Sequence, residues 1–496
     1  MSSRSVLHGR CADRPPVRGP KRGDDIVPFD RRIVPQDPPV AQFEASMASS
    51  KTSNSLGWLG IARLGLVQMS LGAVVVMMTS TINRVMVVEL ALAAMIPGLL
   101  VALHYAIQVL RPRWGYGSDV GGRRTPWIVG GMAALCLGGV GAAVATALMA
   151  VSFWAGLALA VLAFTLLGIG VGAAGTSVLA LMAVRVAPER RAAAATIVWV
   201  MMIFGLAVTA TIAGKFLDPF STTRLIVVMA TVALLAFVVA CAALWRLEGS
   251  GADATARPET AKPPFMTALR EVWTEPEARR FTIFVFVSML AYNAQELILE
   301  PFAGLVFGMT AGQSTALAGV QHGGVLAGMI LVSVGASVIG GRVLGSLKLW
   351  TVGGCLASAA ALVVIAAGGL VGPEFPIRAA VFALGVANGS FAVAAIGAMM
   401  SLASAGSSPR EGTRLGLWGA AQAIAFGVGG LLGALAVDVA RPFVASPVEA
   451  YGLVFVAEAA LFVVGAWLAL GIGAKPSPSR AGPAVGGRLA SGSHAG

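Results

Sequence analysis

Twelve apolar runs recur along the chain, each long enough to cross about 30 Å of hydrocarbon at about 1.5 Å per helical residue. They fall near 61–82, 91–110, 127–149, 153–181, 193–214 and 224–245, then near 281–300, 315–338, 349–371, 378–402, 414–437 and 450–472. The fourth is long enough to be tilted or to project beyond the membrane. One long polar interruption, 246–280, divides the set six plus six. Its first part, Gly249 to Pro264, has the composition of a flexible linker. In its second part Phe265, Met266, Leu269, Val272 and Trp273 share one helical face, with Arg270 and Glu271 elsewhere. That spacing predicts a short amphipathic helix, lying either on the membrane surface or on the cytoplasmic face of the protein itself. The pattern therefore predicts an all-α membrane protein of about twelve transmembrane helices in two six-helix halves. The segments are a tail at 1–55, a half at 56–245, a linker at 246–280, a half at 281–472 and a tail at 473–496.

Composition agrees. The chain is 57% hydrophobic and 12% charged, where a soluble domain carries roughly twice that charged fraction. With 62 glycines and only 23 acidic residues, the surplus apolar surface must face lipid, where backbone groups are satisfied inside helices. The net charge of +12 raises nucleic acid as a partner. The basic residues, however, lie between apolar blocks and in the tails, which is the pattern of cytoplasmic loops. With the N-terminus inside, the short cytoplasmic loops hold Arg111, Arg113, Arg123, Arg124, Arg185, Arg190, Arg191, Arg342, Lys348, Arg410 and Arg414. The opposite loops hold Arg84, Lys215, Arg224, Arg378 and Arg441. Eleven against five predicts both termini in the cytoplasm.

Residues 1–50 are rich in Arg, Asp and Pro, without an apolar core of the kind a signal peptide needs, and read as a disordered tail. Met47-Ala48-Ser49-Ser50-Lys51 reads as a more typical beginning, so the expectation is that translation starts there. Peptides from 1–46 in the native protein, found by mass spectrometry, would sink that idea. The cysteines Cys11, Cys136, Cys241 and Cys355 are far apart and read as small hydrophobes rather than disulfide partners or metal ligands.

The loop after the second run reads Gly115-Tyr116-Gly117-Ser118-Asp119-Val120-Gly121-Gly122-Arg123-Arg124. The glycines permit a tight turn between close helices, the Asp can cap or face a helix N-terminus, and the arginines suit lipid headgroups. Gly115, Asp119, Gly122, Arg123 and Arg124 together resemble the signature of the major facilitator superfamily between its second and third helices. That resemblance implies a major-facilitator-like bundle and a structural or conformational role for the loop. The corresponding loop of the second half, Gly335 to Arg342, keeps glycines and one Arg but lacks the Asp, consistent with degenerate paired repeats.

Polar groups at membrane depth are costly, so each is a functional candidate. The first run ends in Asn83, Arg84 and Glu89, and the seventh in Gln295, Glu296 and Glu300. Each half thus places acids near the outer end of its first helix, with Glu296 and Glu300 four apart on one face. Two readings stand side by side: a functional polar cluster, or outer-surface charges worth little individually. His104 and His322 lie within helices, and each could bond a neighbouring helix or ligate the magnesium of a chlorin. His322 follows Gln321 and precedes Gly323-Gly324, which leaves room beside it for something flat. Glycines at 168, 170, 172 and 175 and at 427, 429, 430 and 433 read as close helix packing. The helices expected to line a central cavity hold almost no charge near the midplane, and the chain looks poorly equipped for proton coupling. No nucleophile–base grouping, phosphate loop or cofactor fingerprint points to an enzyme, and no metal site is expected.

Five stretches resemble one branch, the PucC/LhaA family of purple phototrophic bacteria. They are Asn83 to Leu90, the loop from Ser118-Asp119 to Pro126-Trp127, Ala294 to Gly304, Gly319 to Met329, and Gly385 to Met400 with Arg410-Glu411-Gly412 and Gly416 to Gln422 after it. The resemblance covers roughly 56–472. It implies an assembly factor for light-harvesting antenna complexes that transiently binds or delivers bacteriochlorophyll. The implied partners are the bilayer, antenna alpha and beta polypeptides and pigment-synthesis enzymes, in the bacterial inner (intracytoplasmic photosynthetic) membrane. His322, Gln321 and His104 are then the candidate pigment-binding residues. A secondary transporter of a tetrapyrrole or other hydrophobic solute, coupled through Glu296, Glu300 and Glu89, is the alternative.

Overall fold

The computed structural model describes residues 55–111, 123–248, 270, 273–335, 346–405 and 411–472. Both tails up to 54 and from 473, the loop residues Gly115, Asp119 and Gly122, and most of the expected amphipathic helix lie outside them. Twelve helices follow in order, with no strand among the described residues. The first half comprises α1 (Trp58–Val76), α2 (Met95–Ile107), α3 (Thr125–Met149), α4 (Phe153–Arg185), α5 (Arg191–Leu217) and α6 (Thr222–Leu244). The second comprises α7 (Pro276–Phe307), α8 (Ala311–Val334), α9 (Leu347–Val371), α10 (Ile377–Ala405), α11 (Glu411–Ala440) and α12 (Pro447–Leu470). Eleven spans are long and apolar enough to cross a membrane; the second, Met95–Leu110, is a shorter apolar helix.

Local chemistry sets several boundaries. Ser221, Ser346 and Ser446 each accept a backbone N–H three residues on, satisfying donors that a helix start leaves orphaned. Thr310 and Gln313 form a reciprocal capping box that starts α8 at Ala311, before the expected 315. α7 begins at Pro276 rather than near 281, with proline in its first turn, where a missing N–H costs nothing. The first span does not stop near 82. It continues through two π-helical segments, Met77–Ile82 and Val85–Glu89, and carries the polar end of α1 into the interior.

One apolar core gathers around Ile61, Leu64, Leu135 and Leu167 of the first half and reaches Leu297, Ala318, Val325 and Met329. The other gathers around Phe281, Phe302, Phe391 and Phe462. α5 packs along α8 and α2 along α11, so each pair crosses between the halves. At the end of the bundle opposite Ser55 and Ile472, here the distal end, the halves are hydrogen bonded. Thr81 Oγ1 meets Thr315 Oγ1 at 3.0 Å, Asn83 Nδ2 donates to the Leu297 carbonyl at 2.7 Å, and Arg84 donates to the Met309 carbonyl at 2.9 Å.

Two aspartates complete this seam in matching ways. Asp218, just after α5, accepts from Thr310 Oγ1 at 2.5 Å and from the Gly312 N–H at 3.1 Å, at the start of α8. Asp438, near the end of α11, accepts from the Ala94 and Met95 N–H groups at 3.1 and 2.7 Å, at the start of α2. α11 is the fifth helix of its half, so each half caps the second helix of the other with an acid at the end of its own fifth. A carboxylate at a helix N-terminus meets both orphan N–H donors and the positive end of the dipole.

Candidate functional site

α1 and α7 bring the predicted outer-end cluster together, but below the surface. Asn83 and Arg84 are 2% exposed, Gln295 is 0% exposed and Glu300 is 2% exposed. Arg84 donates to the Glu89 carboxylate, whose own side chain is 32% exposed. Glu300 faces Ser80 and Arg84, and one of its carboxylate oxygens has no hydrogen-bond partner among the described residues. The surface-charge reading therefore holds for Glu89 alone. It fails for the rest because α1 runs on to Glu89 and buries its last turns against α7 and α8. The expectation of a charge-poor interior is corrected by the same observation.

A second group lies on the face of α7 that carries Glu296. Glu296 Oε1 stands 3.9 Å from His322 Nε2, too far for a hydrogen bond. Thr79 of α1 faces the same carboxylate. His322 Nδ1 lies 2.9 Å from the Ala318 carbonyl one turn earlier, so Nδ1 donates in that bond and, in the neutral ring, the lone pair is on Nε2. Tyr292, one turn before Glu296, stacks on Phe426 at 6.2 Å and 28°, and Tyr105 of α2 meets the edge of Phe426 at 5.8 Å. Both tyrosines lie within electrostatic reach of Glu296. The group therefore offers an imidazole, one carboxylate and an aromatic cluster, carried by α2, α7, α8 and α11.

The two glycines after His322 differ. A Cβ at Gly323 would meet nothing within 4 Å, whereas one at Gly324 would lie 2.4 Å from the Phe382 carbonyl oxygen. There is open space at the Gly323 Cβ position, and the Gly324 position is taken up by contact with α10.

The remaining candidates have other neighbours. His104 Nε2 lies 2.9 Å from Gln108 Nε2, and Arg111 donates to the Gln108 side chain. The His104 ring meets the edge of Tyr105 at 5.1 Å, and its buried Nδ1 has no hydrogen-bond partner among the described residues. Gln321 is 5% exposed, and its carbonyl packs against Gly385 of α10. Of the loop signature, Arg123 and Arg124 are described. The Arg124 and Thr125 N–H groups donate to Glu248 at 2.5 and 2.7 Å, and Thr125 Oγ1 adds a third bond at 2.6 Å. Burial alone would raise the Glu248 carboxyl. These bonds and the charge of Arg124 outweigh it and hold the group below the usual carboxylate range.

Sequence reasoning missed Tyr105, Tyr292, the capping acids Asp218 and Asp438, and Glu458. Glu458 stands in the middle of the apolar run Val456-Ala457-Glu458-Ala459-Ala460 and is 3% exposed. The rule that flagged Glu296 applies to it equally.

Residues 81–475 match the family model described as PUCC protein. Over 426 residues the chain is 54% identical to the protein named Bacteriochlorophyll synthase 44.5 kDa chain of Rhodobacter capsulatus, covering 86% of this chain and 98% of that one. It is 31% identical to Protein PucC of Rhodobacter capsulatus over 431 residues, covering 82% and 90%. To Protein PucC of Cereibacter sphaeroides it is 32% identical over 407 residues, covering 76% and 83%. Among solved structures, a peptide transporter POT in complex with sulfate matches with a TM-score of 0.60 at 14% identity, covering 84% of this chain and 96% of that one. A bacterial homologue of the lysosomal transporter Spinster, inward-facing and occupied, matches with a TM-score of 0.58 at 14% identity, covering 83% and 95%. These two likenesses show a major-facilitator-like fold.

Proposed function

The chain belongs to the PucC family, and from that premise we propose that it is a non-enzymatic assembly factor for light-harvesting antenna complexes. It holds bacteriochlorophyll transiently between its halves and hands it to antenna alpha and beta polypeptides. It does so in the bacterial inner membrane, with both termini in the cytoplasm as the loop charges indicate. The names of the relatives support the pathway: one refers to bacteriochlorophyll and others are PucC proteins.

The observation that carries the reading is His322. Its Nδ1 is tied back to Ala318, and its Nε2, 3.9 Å from the nearest carboxylate oxygen, makes no hydrogen bond among the described residues. Were bacteriochlorophyll bound here, His322 Nε2 would be the atom to hold its magnesium. The hydrogen bond at the other nitrogen fixes the tautomer such a ligand needs. Tyr105, Tyr292 and Phe426 form an aromatic cluster within electrostatic reach of Glu296, and a Cβ at Gly323 would meet nothing within 4 Å. Gln321, packed against α10, and His104, whose Nε2 meets Gln108 while its buried Nδ1 has no partner among the described residues, are the further candidate ligands.

Purification in mild detergent from pigmented cells tests the proposal. Bacteriochlorophyll is expected to accompany the protein, and His322→Ala is expected to lose at least tenfold of it while the protein elutes unchanged. Pigment-free protein, or an unaltered yield from His322→Ala, overturns it. The buried acids Glu296 and Glu300 beside Arg84 favour a second reading, a secondary transporter of a tetrapyrrole or other hydrophobic solute. Gradient-dependent flux in reconstituted vesicles, abolished in Glu296→Gln, would select that reading over the first.

A further inference from the structure

α7 and α12 run antiparallel, and their contacts repeat at a heptad interval. Gly465 packs on Ser288, with its Cβ position 3.6 Å from the serine Cβ. Fourteen residues further along α7, Phe302 packs on Tyr451 with ring centroids 5.7 Å apart. Seven residues are close to two helical turns, so positions 288, 295 and 302 share one face of α7, and 465, 458 and 451 share the opposing face of α12. The middle rung of this ladder is Gln295 opposite Glu458.

Both side chains are buried, at 0% and 3% exposure. Gln295 Nε2 and Oε1 and both carboxylate oxygens of Glu458 have no hydrogen-bond partner among the described residues. Glu458 is the twelfth of 24 residues in α12, halfway across the span. At that depth no bulk solvent satisfies orphaned polar atoms, and each one left alone is costly. Four such atoms on facing residues at one level of two packed helices point to a shared occupant.

We infer that Gln295 and Glu458 form a buried site for an internal water molecule that bridges α7 and α12. The chemistry of the four atoms selects the ligand. The amide nitrogen offers donors, and the amide and carboxyl oxygens offer acceptors. One water can accept from Gln295 Nε2 while donating to Gln295 Oε1 and to a Glu458 oxygen, which gives the three bonds typical of buried water. Ser288 and Phe302, one heptad away on either side, hold α7 against α12. The site also positions: with Gln295 held against α12, Glu296, about 100° further round α7, is turned away from α12 and toward His322.

Two measurements on the full-length protein in detergent test the site. Infrared difference spectra in H2(16)O and H2(18)O should show a hydrogen-bonded O–H stretch of an internal water that shifts with the oxygen isotope. That band should vanish in Gln295→Leu and in Glu458→Leu. In a double-mutant cycle on the unfolding midpoint, each single variant should lower it by a few degrees, and the double variant should lose less than the sum. Removing both polar partners together leaves nothing orphaned. If a leucine variant does not fold, Glu458→Gln, which keeps the polarity, should move the isotope-sensitive band. An identical band in Glu458→Gln, no isotope-sensitive band in the parent protein, or strictly additive losses in the cycle overturns the inference.

Discussion

The two ends of the bundle are held together by different kinds of bond. At the distal end the hydrogen bonds named above run between the halves, through Thr81, Asn83, Arg84, Asp218 and Asp438. At the opposite end the bonds found among the described residues run inside each half. Arg63 donates to the Ala243 carbonyl at 2.9 Å, Arg185 to the Glu248 carbonyl at 2.5 Å, and Glu248 caps the start of α3. In the second half Lys348 donates to the Leu470 carbonyl at 2.5 Å and Trp418 to the Ala278 carbonyl at 3.4 Å. Each half is stitched to itself at one end and tied to the other half at the other. The site around His322 and Glu296 lies on the elements that the distal ties hold in register. Damage to the seam should therefore disturb the site, and damage at the proximal end should loosen one half without disturbing it.

The largest expected effect is at the α5–α8 crossing. A Cβ at Gly312 would lie 2.3 Å from the Gly214 carbonyl oxygen and 2.5 Å from Asp218 Oδ2, so Gly312→Val must push two backbones apart. Overpacking of this kind costs about 1–3 kcal/mol, and here the Asp218 cap is lost as well. We expect a loss of about 3 kcal/mol in apparent unfolding stability in detergent, together with loss of any pigment bound at His322. A variant as stable as the parent would mean that the halves are not held at this crossing.

Next comes Glu89→Ala. It leaves the guanidinium of Arg84, 2% exposed, with the Met309 carbonyl and the neighbouring Glu300 as its remaining partners. Removing one member of a buried pair costs 3–5 kcal/mol when nothing compensates. With Glu300 close by, about 2 kcal/mol is expected. Arg84→Gln should cost at least as much, because it leaves the buried Glu300 without its neighbouring cation and breaks the bond to the Met309 carbonyl. A clearly smaller loss from Arg84→Gln would show that Glu300 does not depend on Arg84.

The paired caps should come next. Asp218→Ala and Asp438→Ala are each expected to cost about 1 kcal/mol, as for other capping residues. They cap different helices at separate crossings, so the double variant should lose the sum within about 0.5 kcal/mol. A strong departure from additivity would mean that the two crossings open as one unit.

Much of this organisation can be read from sequence, and what cannot has a physical reason. Twelve apolar runs stand out because the bilayer imposes one length and one polarity on every crossing. Asp218 and Asp438 look like ordinary loop acids, since their role depends on which helix of the other half begins beside them. Arg84 and Glu300 sit at the ends of apolar runs, where burial depends on whether the helix continues. Glu458 is different, because an acid in the middle of an apolar run is visible in the sequence. Only its partner, Gln295, needed the helix register. His322 was legible as a candidate, but its hydrogen bond to Ala318 and the crowding at Gly324 were not.

At the proximal end, acid tests the Glu248 cap. The Glu248 carboxyl is held below the usual range in the folded protein, so its contribution is present above the unfolded carboxylate value and is lost as pH falls through the lower folded one. On acidification below about pH 4.5, the protection of the Arg124 and Thr125 amides against hydrogen exchange, relative to the intrinsic rate at each pH, should fall. Glu248→Gln should show the faster exchange already at neutral pH. Protection at Thr125 that is unchanged across this range would detach Glu248 from the proximal end.

The smallest expected effect on stability tests the site most directly. Gly323 is a helical glycine whose Cβ would meet nothing within 4 Å, in contrast to Gly312 on the same helix. Gly323→Ala should therefore leave stability unchanged or raise it by up to about 1 kcal/mol, since glycine in a helix is less favourable than alanine by that amount. If the space beside His322 receives a flat ring, Gly323→Leu should fill it and reduce bound pigment several-fold without lowering the unfolding midpoint. Gly312→Val would lose both properties together. A Gly323→Leu protein that keeps its full pigment complement would place the ligand elsewhere, and the seam and the site would then be independent features of one fold.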